Sequence, residues 1–221
     1  MKTKNVKALL AKDFRMSGWV FLVGVLMWPA PIVFTSLLAY MLTDPSRVRS
    51  LLWWRTMSGF PACVMLSMIM ISMVISHLLT SERMDRSVSF LSYLPFKRSE
   101  ALISKIVNAA AFMTVFIILD GLFLGYMNPQ GHTEQLVLGI FLLACGAMLI
   151  FGSAWLAGAC LRSSAMTTAM GVGVPVMVWV GVGSQCDREN IFPAIVAVSL
   201  VLGVVFFVAG SIVFVKRGPE A

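Results

Sequence analysis

Residues 191–215 read IFPAIVAVSLVLGVVFFVAGSIVFV, twenty-five positions without a charged side chain. As an α-helix this run is about 37 Å long, more than the roughly 30 Å of hydrocarbon in a bilayer. Five further blocks have the same character: Gly18–Met41, Thr56–Leu79, Ile106–Tyr126, Leu136–Leu161 and Ala165–Gly183. Backbone N–H and C=O groups cannot stay unpaired in lipid, and the helix pairs them within one segment. The composition agrees, with 59% apolar and only 12% charged residues. A water-facing surface needs more polar material than that. The expectation is an all-α polytopic membrane protein with six transmembrane helices.

Charge sets the predicted orientation. Lys2, Lys4, Lys7, Lys12 and Arg15 precede the first block. Arg83, Arg86, Lys97, Arg98 and Lys105 lie between the second and third, Arg162 between the fourth and fifth, and Lys216 and Arg217 after the sixth. That side carries thirteen basic residues against four on the other: Arg47, Arg49, Arg55 and Arg188. The positive-inside rule places the first set, and both termini, in the cytoplasm. Arg47, Arg49 and Arg55 run against the rule and are read as a short external segment, with Trp53 and Trp54 at the interface. The net charge of +7 is thereby explained as topology. The basic residues lack interleaved aromatics, which argues against nucleic acid. The run from Gly18 to Met41 is too long for a signal-peptide core and has no A-x-A site after it, so cleavage is not expected.

Within the first 17 residues, Val6, Leu9, Leu10 and Phe14 fall at i, i+3, i+4 and i+8, one helical face. The lysines occupy other faces, the pattern of an interfacial helix with its cations near lipid phosphates. The predicted organisation is this helix over 1–17, a six-helix membrane domain over 18–215, and a cytoplasmic tail over 216–221. Trp28-Pro29-Ala30-Pro31 and Pro175 are expected to kink the first and fifth spans, because proline lacks a backbone donor. Such helices either line a pathway or simply pack closely.

Between the second and third blocks lies a polar connection. Ser81 suits a helix N-cap, and Glu82 and Asp85 its first turn. Met84, Val88, Leu91 and Leu94 form an apolar stripe, and Pro95 ends it. A short amphipathic helix over 81–95 is predicted, lying on the membrane face. Asp120 is the acidic residue clearly inside a span, and a charge at mid-bilayer costs about 2.5–3.5 kcal/mol on insertion scales. It is read either as a pathway or ion site, or as an acid hydrogen-bonded between helices. His77 is placed near the inner end of the second span. Cys63, Cys145 and Cys160 lie in apolar blocks without metal-ligand spacing. Cys186, in a polar loop, is either a free thiol or a link between subunits. Met65, Met68, Met70 and Met73 do not form one clean stripe, and packing is preferred over Cu(I) binding.

The segment Glu82-Arg83, Asp85, Phe90, Leu94-Pro95, Lys97-Arg98 and Lys105 resembles the type-2 ABC exporter permeases. The N-terminal interfacial helix, the six spans and a tight turn at Arg162-Ser163-Ser164 match the layout of that family. One departure is Ser87-Val88, where many relatives carry Gly-Thr or Gly-Ser. The resemblance implies a permease that forms half of a translocation pathway in the bacterial cytoplasmic (inner) membrane. It implies a second permease copy, identical or not, and a separate ATPase that binds ATP and Mg²⁺. Segment 81–95 would be the coupling helix, with Glu82, Arg83, Asp85 and Arg86 in polar contact with that ATPase. Asp120 and Pro175 are the candidates for the pathway. The chain has no G-x-x-x-x-G-K-[ST] phosphate loop, so ATP hydrolysis is expected in the partner and no cofactor in this chain. The haem-exporter permeases of cytochrome maturation share the layout, but no haem-ligand constellation stands out. Two other classes compete: an ion-coupled carrier or channel with Asp120 as its coupling site, and an intramembrane enzyme. The second needs clustered acids or histidines, whereas Asp120 and His77 lie in different spans near opposite faces.

Overall fold

The computed structural model describes residues 3–42, 48–84, 98–126, 133–161, 163–186 and 191–216. Seven helices cover them: α1 (Thr3–Met27), α2 (Ala30–Leu42), α3 (Val48–Met84), α4 (Arg98–Tyr126), α5 (Thr133–Cys160), α6 (Ser164–Gln185) and α7 (Ile191–Lys216). By length and composition they supply six membrane spans. The first, residues 7–37, combines α1 and α2, and α3 to α7 supply one each. The chain is an all-helical, multi-pass membrane protein with a helix at its N-terminus.

The helix boundaries depart from the sequence reading in two places. No break occurs at residues 17–18, because α1 runs unbroken from Thr3 to Met27. Gly18 is tolerated there, and the first residue lacking a backbone donor is Pro29. The interruption falls at Trp28-Pro29, as the proline pair predicted, and α2 resumes with Val33 N donating to Pro29 O at 3.0 Å. Ser81 does not cap a new helix. Ser81, Glu82, Arg83 and Met84 continue α3, which meets neither glycine nor proline between Ala62 and Met84. Arg49, Trp53, Trp54 and Arg55, expected with Arg47 in a short external segment, lie in the opening turns of α3, ahead of the candidate span that begins at Pro61, and Arg47 lies outside the described residues. The rest of the predicted coupling helix, from Asp85 to Pro95, lies outside the described residues, as does Arg162.

Helices α3 and α5 form the centre. Met68, Ile71, Val74, Ile75, Leu78 and Leu79 of α3 meet Ala147, Ile150, Phe151, Ala154 and Trp155 of α5 in one buried cluster, closed by Ala109, Phe112 and Phe116 of α4. Trp155 stacks on Phe151 with centroids 5.5 Å apart and donates its indole N–H to Ser211 Oγ of α7 at 3.2 Å. Phe21 stacks on Phe112 at 4.5 Å and fixes α1 on α4. Lipid offers no hydrophobic reward for helix association, so close packing and hydrogen bonds must hold the bundle. The α5–α7 contact shows the first: a Cβ on Gly152 would collide with the Gly203 carbonyl, and one on Gly203 would lie 2.8 Å from Met148 O. The backbones therefore touch where neither residue carries a side chain.

Hydrogen bonds supply the rest between α3, α5 and α6. Ser72 Oγ donates to Thr168 O at 3.1 Å, and Ser76 Oγ lies 2.8 Å from Ser164 O. Both pairs are four residues apart, so one face of α3 is stitched to one face of α6. Pro175 is buried inside α6, which continues through it. Without an N–H it leaves the Gly171 carbonyl without its i+4 donor. Ser153 Oγ of α5 donates to that carbonyl at 3.2 Å.

Candidate functional site

Two buried polar clusters interrupt the apolar bundle. The first joins α1, α3 and α4 beside the connection 85–97. Asp13 is 3% and Lys105 1% exposed, values that lipid or water contact would not leave. Ser104 Oγ donates to Asp13 Oδ2 at 2.6 Å, and Lys105 Nζ lies 3.8 Å from Asp13 Oδ1. The same ammonium donates to the Leu78 carbonyl of α3 at 2.6 Å. Asn108 Nδ2 donates to Leu10 O of α1 at 3.2 Å, and His77 Nε2 lies 3.2 Å from Met16 O. Ser17 Oγ closes on its own helix, donating to Asp13 O at 2.7 Å. The geometry follows from helix periodicity: Lys105 and Asn108 are three apart on α4, and Asp13, Met16 and Ser17 share one face of α1. Glu100 sits buried in the first turn of α4, where an acid complements the exposed N–H groups.

The second cluster grips the break in the first span. Asp120 Oδ1 of α4 accepts from the Trp28 indole N–H at 2.9 Å and from Ser67 Oγ of α3 at 3.0 Å. Trp28 lies at the interruption itself, edge-on to Phe123 at 5.9 Å. The Cys63 thiol of α3 lies 3.5 Å from the Trp28 carbonyl. One carboxylate oxygen thus connects three helices at the point where proline has removed main-chain hydrogen bonds.

These contacts place the residues singled out in the sequence. Asp120 is buried, with its acceptor oxygen engaged between helices. Pro175 is also buried, on α6, which packs on α3, α5 and α7. His77 touches α1 and is half-buried. No disulfide joins the four cysteines, and among the described residues no group of three His, Cys, Asp or Glu side chains could hold a metal. Met68 is buried, while Met65 and Met73 are exposed, so the methionines scatter as their spacing indicated. Of the four residues expected to contact an ATPase, Glu82 and Arg83 lie in the last turn of α3, and Asp85 and Arg86 lie outside the described residues. Lys105, read as part of the motif, turns out to be buried against Asp13, a residue the sequence reading passed over. Asp13 sits among lysines on a helix expected at the interface, and nothing local marks it as a buried partner 92 positions from Lys105.

The model of a family described as ABC-2 family transporter protein matches residues 50–215. This chain belongs to the ABC-2 transporter membrane family. The match spans α3 to α7 almost entirely and includes the connection 85–97. No curated protein and no solved structure matches the chain. Membership in the ABC-2 family makes this a transporter membrane protein.

Proposed function

We propose that this ABC-2 family protein is the permease subunit of an ATP-driven exporter. The observation that carries the reading is the family match over residues 50–215, which takes in five of the six spans and the connection between the second and third. One six-span chain forms half of a translocation pathway, and a second copy, identical or homologous, completes it. A separate ATPase, holding ATP and Mg²⁺, docks on the side of the connection 85–97 and drives the two halves between inward- and outward-open states. Glu82, Arg83, Asp85 and Arg86 supply the polar contacts with that subunit. The excess of basic residues on that side supports a cytoplasmic position for it and for both termini, and the exporter reading takes the membrane to be the inner membrane of a bacterial cell.

Asp120 and Pro175 enter this reading by shaping the walls of the pathway. Asp120 holds the interrupted first span against α3, and Pro175 frees a carbonyl in the fifth. Supporting the packing role of Asp120 over an ion-coupling role are its two hydrogen bonds from Trp28 and Ser67.

The test is affinity capture of the tagged chain, expressed in its native host, from mild detergent. The expected result is co-purification of an ATP-binding subunit whose hydrolysis depends on the permease. A chain that purifies without any ATPase, and moves its cargo in response to an ion gradient alone, would overturn the proposal in favour of a secondary carrier.

A further inference from the structure

The Asp13–Lys105 cluster is not explained by stability. Removing a carboxylate and an ammonium from water costs several kcal/mol for each ion, and well-packed apolar residues of similar volume usually serve a fold as well or better. What an ion pair with hydrogen bonds provides, and apolar packing does not, is register. Apolar ridges and grooves repeat with each turn, so packed helices have more than one available register and can ratchet between them. Here Asp13 is held by Ser104 and Lys105, Lys105 also holds the Leu78 carbonyl, and Asn108 holds the Leu10 carbonyl. A shift of α1 along α4 by one turn would break the three contacts that Asp13 and Leu10 make with Ser104, Lys105 and Asn108 together.

The position of the cluster decides what the register serves. Leu78 lies six residues before the end of α3 at Met84, and Lys105 seven residues after the start of α4 at Arg98. Both contacts are therefore within about 11 Å, along the helix axes, of the two ends that carry the connection 85–97. The cluster ties those two ends to each other and to α1, a helix otherwise attached to α4 through Phe14 and Phe21 on Phe112. Asp13 also stands outside the span matched by the family, which begins at residue 50.

We propose that Asp13 and Lys105 are positioning residues that lock the N-terminal helix to the ends of α3 and α4 that flank residues 85–97, so that α1 moves as one body with those two helix ends. This rests on the permease reading, in which the ATPase pushes on the connection. Through the joint, α1 and the interrupted span continuous with it become part of what the ATPase drives.

The experiment uses the full complex in lipid vesicles, with Cys63, Cys145, Cys160 and Cys186 changed to alanine. Spin labels are placed at Trp19→Cys on α1 and Val107→Cys on α4. Both sites are exposed, at 73% and 47%, and belong to neither polar cluster. The label-to-label distance is measured by pulsed spectroscopy in the resting state and after trapping with ATP and vanadate. With the joint intact, the distance is expected to stay unchanged on trapping. With Asp13→Leu and Lys105→Met together, which keeps volume and removes both charges, the complex should remain folded and hydrolyse ATP. The distance should then change or broaden on trapping by about 2 Å or more, the scale of helix shear.

A second pair of substitutions guards against loss of folding. Asp13→Lys with Lys105→Asp re-forms the ion pair with its partners exchanged and adds no thiol. In it the label-to-label distance should again stay unchanged on trapping, at the same amount of folded complex as the Asp13→Leu, Lys105→Met variant. A purely structural pair would give equal distances in every variant that folds, and that result overturns the joint. Labels that separate on trapping even with the pair intact overturn it as well. An intact protein that brings down no ATPase overturns the permease reading itself, and the joint with it, which a trapped complex distinguishes from failure of the joint alone.

Discussion

Replacing Asp120 by asparagine and by alanine should give opposite results, and the structure shows why. Trp28 Nε1 and Ser67 Oγ both donate to one oxygen, Oδ1, at 2.9 and 3.0 Å. Asparagine retains a carbonyl oxygen at that position, so both donors keep their acceptor. Alanine strands two donors, the half-buried Trp28 indole at the break in the first span and the buried Ser67 hydroxyl of α3. Interhelical hydrogen bonds in membranes are worth about 0.6 kcal/mol on average and about 1.7 at most, so losing two costs about 1–3 kcal/mol. For a chain of this size that corresponds to a melting point lower by roughly 2–12 °C. The assay is thermal unfolding in detergent, followed by loss of the monodisperse peak, with ATP-driven uphill transport in vesicles measured alongside while an uncoupler collapses the proton gradient. Asp120→Asn is expected to melt within a few degrees of the unmodified protein and to keep ATP-driven transport. Asp120→Ala is expected to melt early. Equal melting of the two variants would refute the acceptor argument. Transport that needs the proton gradient but not ATP, and vanishes in Asp120→Asn, would show that ionisation of Asp120 drives transport and sink the permease reading.

Three further outcomes are expected. Ser153→Ala should lower the melting point by removing the donor to the Gly171 carbonyl, a loss of about 1 kcal/mol, and adding Pro175→Ala should restore most of it by returning the main-chain donor; additive losses in the double variant would refute the pairing. Glu82→Lys combined with Asp85→Lys should leave the protein inserted, weaken its hold on the ATPase and abolish transport-stimulated hydrolysis, read by co-purification and phosphate release. A cysteine placed near Arg86 should resist a membrane-impermeant thiol reagent in intact cells and one near His132 should react, and the reverse pattern would invert the proposed orientation.

The six spans were legible because a bilayer imposes a length and a polarity on a contiguous run of residues. Residues 191–215 or 136–161 satisfy both by themselves, whatever they touch, and their observed helices, Ile191–Lys216 and Thr133–Cys160, begin or end within a few residues of the predicted blocks. The break at Trp28-Pro29 was equally local, since a missing N–H is a property of the residue. Helix ends without such a marker were not legible. Nothing in the composition around residue 18 or residue 80 stops a helix, and α1 and α3 pass through both places because their backbone donors and acceptors remain pairable.

The functional clusters divide in the same way. Asp120 announced itself as a charge within an apolar run, so its position could be read from the sequence. Its partners could not, because Trp28 and Ser67 are brought to it only by the crossing of three helices. Asp13 was hidden twice over. It stands among lysines, where an acid reads as ordinary surface, and its burial depends on α1 packing against α4 with Lys105 and Ser104 facing it. Hydrophobicity is a property that each segment carries alone, and it determined that this protein crosses a membrane and how many times. Which charge meets which, and at what depth, is a pairwise property of residues up to 92 positions apart, and only the packing of the helices decided it.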